Sequence, residues 1–359
     1  MTGTLAPVVP PRRLGFFSRL LDDVPAGERY RLATEQILHA ERLGFDAAWV
    51  AHHHFHPLEG GLPSPFVFLA HVAARTRRIR LGTGIVTLPL ENPLRAAEDA
   101  AVLDLLSSGR LEFGVGNGGT AESFTAFGLD GDARAPLFAQ HLAIVRSALA
   151  AGSLPGGEQL YPIAPSLAGR LWQATFSVAG GARAGAAGDG LMLSRTQPRP
   201  ADEPGASLHD LQNPIIDAYL AALRPGQAAR ILGSRSLFVA ESRTEALRLA
   251  DRGLRRAASR MAAAVQPGQV LRAGPEAPLE TLIAAYDVHV GTPADVIASL
   301  RADTALARVT DLAFQVHSVD PPHEAILRSL ELTARDVAPA LGWRAGRAIA
   351  TEAAEGATP

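Results

Sequence analysis

His52, His53, His54 and His56 follow directly on the apolar run Phe45–Ala51. Imidazole is a side chain that can either ligate a metal or exchange a proton near neutral pH. Three chemistries suit this cluster. His52 and His54 share a strand face, as in the H-x-H pair of barrel metallohydrolases. The rest of such a ligand set is thin: the chain has no lysine to carboxylate, and His317 is the one histidine in reach of a later strand end. The second reading is that the histidines are solvated or capping groups. The third is a single site-facing histidine that exchanges a proton with a bound organic cofactor. In a regular strand His53 shares the face of Trp49 and Ala51, opposite His52 and His54, so one of the three points inward.

Glycine marks further places of interest. Gly82, Gly84 and the turn Thr87-Leu-Pro-Leu-Glu-Asn-Pro93 suit close approach of a flat ligand to a strand backbone, or simply tight packing. Asn117-Gly118-Gly119 and Gly180-Gly181 suit nests of backbone N–H groups for an anion, the second at a helix N-terminus; Gly-Gly pairs also occur in plain loops. The run Gly114-Val-Gly-Asn-Gly-Gly119 lacks the glycine spacing and the later acidic residue of a dinucleotide fingerprint.

These residues need elements to place them. Short apolar runs at Leu14–Ser18, Phe45–Ala51, Ile79–Thr87, Leu111–Val115, Thr175–Ala179, Gly190–Ser194, Ile231–Ala240 and Asp311–Val316 read as strands. Helical patterns separate them, including Pro25–Leu43, Pro93–Leu106, Ala135–Ala151, Leu211–Leu223, Arg243–Ala264 and Pro322–Leu341. Thr292 and Pro293 supply an N-cap and a first-turn proline. Residues 197–207 predict a long mobile loop, and Gln266–Pro278 an insertion before the last strand. Eight strand–helix repeats predict a parallel α/β sheet, closed into a (β/α)8 TIM barrel over 13–344, with an N-terminal arm (1–12) and a flexible C-terminal tail (345–359). An open doubly wound sheet is the structural alternative. In a barrel, functional side chains gather at the C-terminal strand ends, where the histidines, Gly84, Gly116–Gly119, Gly180, Ser194 and Arg195 all fall.

Composition narrows the function. The chain has 359 residues, 47% of them hydrophobic, 19% charged, and a net charge of −2, which supports a large packed core and gives no electrostatic case for nucleic acid or a membrane surface. It contains no cysteine, which removes disulfides, thiolate ligands and thiol nucleophiles. All 34 basic side chains are arginine, so Schiff-base chemistry and a Walker lysine are excluded. With no signal pattern and no membrane-length apolar run, a soluble, cytoplasmic protein is expected.

The motifs then become specific. Leu14-Gly-Phe-Phe17, Ala40-Glu-Arg-Leu-Gly-Phe-Asp-Ala-Ala-Trp-Val-Ala-His-His-His-Phe55, Ile79-Arg-Leu-Gly-Thr-Gly-Ile-Val-Thr-Leu-Pro-Leu-Glu-Asn-Pro93, Gly188-Asp-Gly-Leu-Met-Leu-Ser194 and Gly291-Thr-Pro-Ala-Asp295 resemble the bacterial-luciferase-like, FMN-dependent monooxygenases along nearly the whole chain. The resemblance implies a (β/α)8 barrel, a homodimer, and FMN at the mouth. By position, His53 matches the histidine that assists reduced-flavin oxygen chemistry. Gly84-Ile85 matches a non-proline cis peptide under the isoalloxazine ring, Gly116 lies where a side chain would approach the flavin's reactive carbon, and Ser194 matches a cofactor contact. Asn117 stands where luciferases place an arginine that pairs with the FMN phosphate, and His52 replaces a usual Glu or Gln. Phosphate binding then falls to the amides of Gly118-Gly119 and Gly180-Gly181-Ala182, with Arg183 or Arg195 as the cation.

The activity so implied uses FMNH2 from a separate flavin reductase, together with O2, to oxidise a small aldehyde- or ketone-like substrate through a flavin C4a-peroxide. Phe16, Phe17, Trp49, Phe55 and Phe66 would wall the pocket, with the 197–207 loop as lid. No metal is part of this reading. Alternatives are coenzyme F420-dependent hydride transfer on the same fold, a non-catalytic flavin-binding subunit, and a metal-dependent barrel hydrolase.

Overall fold

The computed structural model describes residues 12–150, 154–200, 202–264 and 271–343. The expected arm, apart from Arg12, and the expected tail lie outside these residues, as does part of the Gln266–Pro278 insertion. Among the described residues are ten parallel strands: β1 Arg13–Ser18, β2 Ala47–Val50, β3 Arg80–Thr83, β4 Val86–Thr87, β5 Leu111–Gly116, β6 Leu171–Ala174, β7 Gly190–Leu193, β8 Ile231–Val239, β9 Val288–Gly291 and β10 Asp311–Gln315. The hydrogen-bonded order runs β10-β1-β2-β3-β5-β6-β7-β8, and β8 pairs back to β10, which closes the ring. The registers Arg13↔Asp311 and Leu232↔Asp311 mark the closing seam. The sequence expectation of a closed (β/α)8 barrel is met, and the open sheet is not.

Three local differences have physical causes. The third predicted strand, Ile79–Thr87, is divided at a cis Gly84-Ile85 peptide, and its second piece, β4, pairs only with β5. The fifth strand is Leu171–Ala174 rather than Thr175–Ala179. Phe176 and Val178 look strand-like in sequence, but the Ser177 hydroxyl accepts the Gly180 N–H and so caps a helix over Val178–Ala187. The insertion ahead of the last strand also holds a short helix at Leu279–Ala285 and the extra strand β9, which pairs with Ser236–Val239 of β8. The loop expected to be a mobile lid is tied to this insertion, because Arg199 donates to Asp287 Oδ1 (2.7 Å) and to the Ala206 carbonyl (3.0 Å).

The barrel interior is a packed core. Trp49 and Trp172 meet edge to face at 5.8 Å. Gly82 and Gly190 make room for them, since a Cβ at either position would enter the facing indole. At the closed end Glu112 accepts from Trp172 Nε1 (2.7 Å), Arg80 Nε (2.5 Å) and Arg13 Nη1 (3.3 Å), and Arg13 also pairs with Asp311 (2.6 Å). This network leaves the opposite end, where the strands terminate, free to open into a cleft.

Candidate functional site

A cleft of about 700 Å³ opens at the C-terminal strand ends. His53, Gly84, Ile85, Gly116, Asn117, Gly118, Ser194, Arg195 and Phe17 line it. Phe16 and Trp49 are instead buried in the core, Phe66 packs on Phe113 (5.5 Å), and Phe55 is 63% exposed at the rim. Gly180 and Gly181 lie buried in the first turn of the helix Val178–Ala187. Gly181 is there for packing: a Cβ would sit 2.5 Å from the Ile215 carbonyl of the helix Leu208–Ala222. Ala182 follows them in the same helix, away from the cleft lining. Arg183 donates to Gln173 (2.9 Å) and lies over the Phe138 ring, also outside that lining.

Strand parity does not sort the histidines, because β2 ends at Val50 and His52, His53 and His54 all reach the cleft from irregular backbone. His52, His54 and Glu91 offer ligand atoms within 4.8 Å of one another. The Thr87 N–H, however, donates to His52 Nδ1 (3.1 Å), so neutral His52 carries its proton on Nε2. An Nε2–H is a donor with no lone pair for a metal. It has no protein partner, since Glu91 Oε1 lies 3.9 Å away.

The glycines around the cleft have distinct reasons. A Cβ on Gly84 would run into the Phe17 ring, and one on Gly118, at φ +70°, would meet the Thr87 side chain. Gly116 differs: its Cβ would lie 3.1 Å from Ile85 Cδ1 and 3.5 Å from Ala174 Cβ, a tight place among cleft-lining groups. Gly60 backs His53, with a hypothetical Cβ 2.5 Å from its Cδ2.

Sequence reasoning missed several lining residues. Arg134, Thr175 and Ser177 line the cleft together with Asn117, and Arg19 and Gln315 also line it. Asn117 Oδ1, His54 Nε2 and Gln315 Oε1 are buried without a protein partner. Unsatisfied polar atoms concentrated on one cleft fit a polar ligand. These residues come from distant segments, and no local spacing announces them.

Burial, reinforced by the Arg19 charge, pushes the His53 pKa down to about 2. Burial also lowers His52 and His317 to about 3, in spite of the Asp320 carboxylate beside His317. In the unfolded chain these groups titrate near ~6.5. Below that pH the unfolded chain binds protons that the folded chain excludes, so stability is full above ~6.5 and falls as the pH drops toward the folded values. The urea midpoint is expected to fall between about pH 7 and pH 5. His53→Asn should make that fall shallower; an identical slope would remove His53 from the effect.

Comparison with known proteins agrees with the barrel fold. The profile described as luciferase-like monooxygenase matches residues 15–310. Limonene 1,2-monooxygenase of Rhodococcus erythropolis is 41% identical over 99 residues, 27% of this chain and 24% of that one. The chain spans less than half the length of the curated relatives it matches. The solved structure of monooxygenase RslO1 from Streptomyces bottropensis superposes with a TM-score of 0.73 at 27% identity, covering 91% of this chain and 99% of that one. The oxygenating constituent of 3,6-diketocamphane monooxygenase from Pseudomonas putida, solved with FMN, gives 0.70 at 18% identity over 92% and 98%, a likeness of fold.

Proposed function

The chain belongs to the luciferase-like monooxygenase family, and on that premise we propose that it uses reduced FMN and O2 to oxidise a small organic substrate. The observation that carries the reading is a cleft whose wall is kept free of a side chain at Gly116, between Ile85 and Ala174, and whose buried polar atoms lack protein partners. Reduced FMN, when bound, supplies the activation of O2. The protein binds, orients and shields. Asn117, Ser177 and Arg134 would hold the phosphate, Arg134 supplying the cation that the family arginine gives elsewhere. Phe17 supports the backbone at Gly84-Ile85. His53 is neutral, so it holds a proton on one ring nitrogen and a lone pair on the other, and passes a proton without carrying charge.

A separate reductase would supply the reduced flavin. Exposed Val67, Val102, Leu105 and Leu106, on the helices Pro65–Ala73 and Pro93–Leu106, support a homodimer. No described helix is long and apolar enough to cross a membrane.

Fluorescence titration with reduced FMN, FMN and coenzyme F420 tests the reading. Saturable binding of reduced FMN is expected, weakened about tenfold, or ~1.4 kcal/mol, by Arg134→Ala. Binding of F420 alone would replace the oxygenase with a hydride-transfer enzyme, and binding of none would end the flavin reading.

A further inference from the structure

The polar groups of the cleft fall on two sides of the barrel ring. Asn117 follows β5 and Thr175 follows β6. Half the ring away are the ends of β10 and β1, where Gln315 and Arg19 line the cleft. Arg195 leaves the end of β7 and donates through Nη1 to Ser236 Oγ on β8 (3.1 Å), so its side chain joins the second side. Arg19 donates to the Glu59 backbone carbonyl, from Nε at 3.0 Å and also from Nη2.

Neither guanidinium has a carboxylate within 4.0 Å among the described residues. The acids nearby are committed elsewhere. Asp320 binds His317 Nδ1 (2.9 Å) and faces Arg256 and Arg260. Asp287 pairs with Arg199 (2.7 Å) and Arg272 (3.1 Å). His53 and His317, which also face the two arginines, are neutral at physiological pH and offer no counter-charge. The Arg19 charge, after burial, lowers the hold of Arg195 on its proton. Asp320 and Glu59 act on Arg19, and Asp320 and Asp287 on Arg195, from beyond ion-pair distance; two cations without a paired carboxylate in a half-enclosed cleft stabilise an incoming anion.

We propose that Arg19 and Arg195 form an anion subsite that takes the carboxylate of the organic substrate, making this an enzyme of organic acids. The inference rests on the flavin reading only in leaving the Asn117 side to the cofactor phosphate. A planar carboxylate suits two guanidinium forks. Met192 and Leu232, which line the same cleft, offer an apolar wall to the rest of such a molecule.

Calorimetric titration of the full chain, as purified and again saturated with FMN, uses benzoate and octanoate, each paired with its neutral amide. At least one carboxylate is expected to bind more tightly than its amide. Arg195→Gln and, independently, Arg19→Gln should each weaken it at least tenfold while the FMN Kd stays within twofold. If neither carboxylate saturates the protein, or the amides bind equally well, the subsite does not exist. If the substitutions lower FMN affinity instead, the arginines serve the cofactor and the proposal is overturned. Absence of FMN binding in the unaltered protein would end the flavin reading alone, because the carboxylate titration of the flavin-free chain still reports on the arginines.

Discussion

Glu112→Ala is expected to destabilise the barrel by about 3 kcal/mol, the lower end of what breaking a buried charge network produces. Glu112 binds Arg80, Arg13 and Trp172 at the closed end of the ring. Its loss strands the Trp172 Nε1–H in a dry interior and turns two guanidiniums toward each other. Arg13 keeps Asp311, and the Arg13 and Arg80 side chains are 34% and 25% exposed, so water and one remaining carboxylate limit the damage. Glu112→Gln retains an acceptor for the indole and should lose less. The urea midpoint at neutral pH measures both; an alanine variant within about 0.5 kcal/mol of the parent would show that packing alone holds this end.

The largest functional effect is expected from Gly116→Phe. A side chain built on Gly116 starts between Ile85 and Ala174 and grows into the cleft. FMN affinity should fall on the order of a hundredfold, about 2.8 kcal/mol. The new Cβ must displace the end of the Ile85 side chain, 3.1 Å away, but the ring stays out of the Trp49–Trp172 core, so the urea midpoint should change less than in Glu112→Ala. Unchanged FMN binding would move the cofactor away from Gly116.

Much of the barrel was legible because its strands are apolar on both faces and its helices carry strong end signals, such as Asn92-Pro93 and the Thr292–Asp295 capping box. The misread fifth strand shows the limit: one serine hydroxyl decides whether Val178 begins a helix, and propensity alone favours a strand. The same holds in the cleft. Gly84, Gly116 and Asn117 could be found because they end strands, and the structure gathers them on one cavity. Arg19, Arg134 and Gln315 could not, since their meeting with those residues depends on chain closure over long sequence distances. Phe16 and Trp49 lie in the core instead of the pocket, because hydrophobicity is a property that a core residue shares with a pocket wall.

The neutral histidines have one more consequence. With His52, His53 and His317 unprotonated across the neutral range, and the cleft's positive charge carried by arginine, the electrostatic field at the mouth barely varies there. A bound molecule's own ionisation is then the main variable. Measured through this protein, a binding curve against pH becomes a titration of the guest rather than of the host.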